Sequence, residues 1–77
     1  MSRRDHLEGK LAALKEVRDW LDKCWEGNMD FQLKFPKAPR YQLLTAKYAA
    51  LTQEAHIQGL DGKIEKVLKE LEEEEEK

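Results

Sequence analysis

The sequence predicts an all-α fold: a small three-helix bundle, or a helical hairpin followed by a short C-terminal helix, assembled as a dimer. Three observations carry that reading. Apolar residues recur at helical spacing in three segments, and only two prolines and four glycines interrupt them. The chain has 77 residues, 40% hydrophobic and 39% charged, which gives one domain at most and a core that is small for independent stability. The lone Cys24 excludes an intrachain disulfide and no Cys/His cluster offers a metal staple, so association is the remaining route to a larger core.

Helix one is predicted over about 3–26. Ser2 followed three residues later by Asp5 resembles a capping box, in which the serine hydroxyl accepts from a free backbone N–H. Leu7, Leu11, Leu14, Leu21 and Trp25 form one stripe at helical spacing, and Ala13, Val17, Trp20 and Cys24 form an adjoining one. At 100° per residue the two together cover about half the circumference, enough to touch two neighbours. Gly27 fits a left-handed residue that closes the helix.

Residues 27–38 lose the helical period. Phe31, Leu33 and Phe35 alternate with polar neighbours, which predicts an extended loop laid across the helices. Pro36 biases Phe35 away from helix, and Pro39 fits the first turn of the next one.

Helix two is predicted over about 39–58. Tyr41, Leu44, Tyr48, Leu51 and Ala55 follow the 3, 4, 3, 4 spacing of a heptad seam, the clearest pattern in the chain. Leu43, Ala46, Ala50 and Ile57 form a second, weaker stripe whose alanines permit close helix contact. Gly59 reads as a helix stop, and Asp61 as the cap of a third helix over about 61–72 that carries Ile64, Val67, Leu68 and Leu71. That last stripe shares the phase of the weaker one, so a single bent helix is the alternative.

Residues 1–71 thus read as one helical domain and 72–77 as an acidic tail. The domain carries 13 Lys/Arg against 11 Asp/Glu; the tail holds five Glu and one Lys. Like charges at a helix C-terminus oppose its dipole, which predicts fraying.

Candidate chemistry is sparse. His6 and His56 lie far apart in sequence with no metal-ligand spacing around them, so both read as solvated and no metal or cofactor is predicted. Cys24 has no base placed beside it, and Asp19 and Asp22 sit among Arg18 and Lys23 in a solvated setting. No phosphate loop, nucleophile elbow or two-histidine zinc helix appears, and the expectation is a non-enzymatic protein. No apolar run approaches the roughly 18 residues of a membrane span, and the lone cysteine with a charged N-terminus suits the cytoplasm.

Binding is therefore the predicted function: a small interaction or regulatory module acting through self-association, as a homodimer or with a protein partner. Leu14, Val17, Trp20, Leu21, Trp25, Tyr41, Leu44, Tyr48 and Leu51 are the residues expected to bury against core or partner. The alternative is a nucleic-acid accessory in which Lys34, Lys37, Arg40 and Lys47 meet phosphates beside Phe31, Phe35 and Tyr41. A pI near 5.7 opposes that attraction. The order of a Leu-rich helix, a loop, the helix Arg40-Tyr41-Gln42-Leu43-Leu44-Thr45-Ala46-Lys47-Tyr48 and a Leu/Glu-rich end resembles the C-terminal dimerisation region of PadR-type transcription regulators over residues 7–71. The resemblance implies a helical association role and brings no site residues; the winged-helix segment expected ahead of such a region is not in this sequence.

Overall fold

The computed structural model describes residues 2–76, excluding the Glu76 side chain; Lys77, the last residue of the predicted tail, lies outside them. Two helices fold back on each other: α1, Arg3–Lys34, with 32 residues, and α2, Arg40–Glu76, with 37. They pack along their length as an antiparallel hairpin 58 Å long and 16 by 14 Å across. There is no strand among the described residues.

α1 begins as its sequence predicts, with the Ser2 hydroxyl accepting from the Asp5 amide at 3.2 Å. It does not stop at Gly27. No glycine has a positive φ, so neither Gly27 nor Gly59 takes the left-handed conformation of a helix stop. Residues 28–34, predicted as extended loop, form the last two turns of α1. Three alternating apolar residues are too few to separate a strand period from a helical one, and nothing in Asn28 to Lys34 breaks a helix. The chain reverses only at the prolines. The Phe35 amide still reaches the Phe31 carbonyl at 2.9 Å, and the Ala38 amide closes a turn onto the Phe35 carbonyl at 3.1 Å, with Pro36 at the second position that its fixed φ suits. Pro39 precedes the helix by one residue, and its carbonyl accepts from the Gln42 and Leu43 amides.

The predicted second and third helices are one continuous helix. Its core side follows a single pattern, Leu43, Ala46, Ala50, Gln53, Ile57, Leu60, Ile64, Val67, Leu71 and Glu74, each at least half-buried. Steps of 3 and 4 run unbroken through Gly59 and Gly62. A glycine inside a helix costs about 1 kcal/mol relative to alanine, which the burial of Ile64 and Val67 beyond it offsets. α1 answers with Leu7, Leu11, Leu14, Arg18, Leu21, Trp25, Asn28 and Gln32 at the same alternating spacing. The hairpin is a two-stranded antiparallel coiled coil in its sequence period, with Leu7, Leu21, Ala46, Ala50, Ile64 and Val67 as its buried centre.

Polar side chains also pair across the seam. Asn28 Nδ2 donates to Gln53 Oε1 at 3.0 Å, and the Arg18 guanidinium is paired with the Asp61 carboxylate. That hydrogen bond, and then the charge of Asp61, push the Arg18 guanidinium above its ordinary value, so it stays charged at any pH the fold survives. At the open end Arg3 and Arg4 reach Glu74 and Glu75, each at 3.4 Å. α2 runs helical through Glu76, and cations from α1 answer carboxylates that the α2 dipole disfavours.

Candidate interaction surface

The heptad stripe of α2 that is clearest in the sequence is the one the hairpin leaves uncovered. Tyr41 is 67% exposed, Tyr48 64% and Leu51 51%, with Leu44 also exposed. At 100° per residue Tyr41, Tyr48 and Ala55 stand about half a turn from the seam, and Leu44 and Leu51 about a third of a turn. The physical reason is length. The Tyr/Leu stripe ends at Ala55, since Gln58 and Gly62 follow in its period, whereas the Leu43 to Leu71 stripe matches the whole of α1.

The nine apolar residues expected in core or partner contact separate into two groups. Leu21 is buried and Leu14 and Trp25 are half-buried in the seam. Val17, Trp20, Tyr41, Leu44, Tyr48 and Leu51 are exposed. The two tryptophans do diverge: Trp25 lies against the groove formed with Met29, Ala50 and Leu51, while Trp20 projects outwards. Val17 lines the other flank, beside Leu21, His56 and Lys63.

Backbone carbonyls of α2 satisfy the hydroxyls that border the Tyr/Leu stripe. Thr45 Oγ1 donates to the Tyr41 carbonyl at 2.7 Å and Thr52 Oγ1 to the Tyr48 carbonyl at 3.0 Å. Covering this face therefore strands neither threonine hydroxyl, which removes a desolvation cost of about 1–3 kcal/mol per unmet group. Gln42 Nε2 donates to Tyr41 Oη at 3.2 Å. Arg40, Lys47 and Glu54 flank the stripe one heptad apart, and none of them takes part in an ion pair among the described residues.

Of the basic residues considered for nucleic acid, Lys34, Lys37 and Arg40 lie by the turn and Lys47 lies further along α2. Lys34 and Lys37 surround the turn with Phe31 and Phe35, whose ring centroids lie 5.4 Å apart with the planes tilted by 41°. Lys47 lines the Trp25 groove on α2, beside Glu54. His6 and His56 are exposed, and the Cys24 thiol is free and half-buried. No group of three or more His, Cys, Asp or Glu side chains of metal-binding arrangement occurs among the described residues. Nor is any described helix long and apolar enough to cross a membrane.

Sequence reasoning missed Arg18, Asn28 and Gln53 as seam residues because each is polar. The available signal was position: all three fall on the alternating 3 and 4 spacing of their apolar neighbours. No protein family, curated protein or solved structure matches this chain.

Proposed function

We propose that this chain is a non-enzymatic helical interaction module that works in the cytoplasm by self-association and by contact with another protein. The observation that carries this reading is the exposed heptad stripe Tyr41, Leu44, Tyr48 and Leu51, on a helix whose opposite side already closes the hairpin. Large side chains repeated at heptad spacing form a surface that another helix fits, and tyrosines are effective anchors there because each buries much apolar area while keeping one polar tip.

Surface area supports it. A monomeric globular protein of 9.1 kDa exposes about 4,900 Å². This hairpin exposes 6098 Å². The surplus, about 1,200 Å², reflects the extended two-helix shape, which leaves α2 with a face that no other element covers.

The test is molar mass in solution over a range of concentrations for the natural chain and for Tyr48→Asp with Leu51→Asp. The natural chain is expected to gain mass with concentration. The double variant should remain helical, because both positions lie outside the seam, and should stay monomeric. A natural chain that is monomeric throughout, or a variant that associates as before, overturns the reading.

A further inference from the structure

We propose that the occupant of the Tyr41 to Leu51 stripe is a second copy of this chain, seated antiparallel so that α2 packs on α2 about a two-fold axis near residues 46 and 47. The proposal rests on the self-association just described and adds the face, direction and register to it.

The stripe is complementary to itself. Running an identical helix in the opposite direction aligns Tyr41 with Leu51 of the second copy and Leu44 with its Tyr48, and the two-fold repeats both pairs in reverse. Each layer then joins one ring to one branched aliphatic side chain, as large and medium residues interdigitate in close-packed cores. α1 packs on the Leu43 to Leu71 side of α2 and borders the stripe only at its flanks, with Trp25 and Met29 beside Leu51 and Phe31 beside Tyr41.

Charge chooses the direction. In the same alignment Arg40 stands two residues, about 3 Å, from level with Glu54 of the second copy, within reach of its long side chain, and the two-fold repeats the contact, so two charges that make no ion pair among the described residues each gain a partner. Two Lys47 side chains meet near the axis, where long stems let the ammonium groups turn into solvent. A parallel pair would instead set tyrosine on tyrosine, leave Arg40 and Glu54 unmatched, and place both runs Glu72–Glu76 at one pole. The antiparallel pair carries those acidic runs to opposite ends of the assembly.

Disulfide trapping in the full-length Cys24→Ser chain tests it. Lys47→Cys is expected to oxidise to a dimer. Arg40→Cys alone is expected to stay uncrosslinked, because its two copies stand about 18 Å apart along the axis, whereas Arg40→Cys mixed with Glu54→Cys should give a mixed dimer. In parallel, Arg40→Glu should weaken dimerisation on the order of tenfold, and adding Glu54→Arg should restore it. Circular dichroism of each variant confirms that the helices persist.

A chain that is dimeric by mass but traps at none of these positions overturns the α2 interface while leaving self-association standing. Arg40→Cys trapping with itself as readily as with Glu54→Cys overturns the antiparallel direction. A chain that is monomeric at every concentration defeats both this proposal and the reading beneath it. If a monomeric chain loses binding to another helix or to lipid vesicles on Tyr48→Asp, the face belongs to that occupant instead.

Discussion

Single residues in this hairpin divide sharply by which side of a helix they occupy. Leu21 is buried in the seam, one position after Trp20, which is 64% exposed. Leu21→Ala is expected to cost about 2–5 kcal/mol, and Trp20→Ala in dilute solution no more than about 0.5 kcal/mol. Urea unfolding of both variants at low concentration checks the contrast. The glycines give a change of the opposite sign. Gly27, Gly59 and Gly62 lie inside helices, none with a positive φ, and a methyl group added at any of them meets no neighbour within 4 Å. Replacing each by alanine should stabilise the hairpin by about 0.5–1 kcal/mol, or roughly 4–8 °C in Tm per kcal/mol for a chain of this size. Loss of stability in Gly59→Ala would show that the helix breaks there.

At the scale of the element, Asn28 and Gln53 form a polar layer inside the seam, hydrogen-bonded at 3.0 Å. Such layers trade stability for register. Asn28→Leu with Gln53→Leu is expected to raise the melting temperature while allowing the helices to slide, which distance measurements between spin labels on α1 and α2 would read as a broadened distribution. A single sharp distance in that variant would mean that the turn alone sets the register. The elements also show how far local sequence reaches. The all-helical class, the hairpin, the Ser2 cap and the α1 seam were legible, since each depends on residues within a few turns. The choice between the two α2 stripes was not. Both have the same period, and the Tyr41 stripe is locally the more apolar; what decides is that only the Leu43 stripe runs as long as α1, a property of two helices together. Gly59 and Pro36 illustrate the same limit, since both look like punctuation and only the proline stops a helix. The candidate surface was legible as residues, Tyr41 to Leu51 among them, but its separation from the core followed from that same unseen pairing.

The whole molecule is a rod with one basic and one acidic pole. Its Cα radius of gyration is 17.3 Å, against about 11.5 Å for a compact chain of this length. Lys34, Lys37 and Arg40 lie by the turn, and the glutamates of α2 gather at the open end, held by Arg3 and Arg4. Arg3→Glu with Arg4→Glu should therefore melt the last turn of α2 and leave the turn end intact. Hydrogen exchange is expected to quicken for amides of residues 72–76 and to stay unchanged around Ala46 and Ala50; equal protection at the open end would mean that those pairs do not hold it.

The ion pairs of Arg3 with Glu74 and of Arg4 with Glu75 also hold the first turn of α1 against the last turns of α2, with the turn at the far end of a 58 Å shaft. A segment that enters and leaves at the same end behaves as a spike. It can be spliced into a surface loop of an unrelated host without stretching that host's backbone, and a fluorophore at the turn would then report from a fixed height above it.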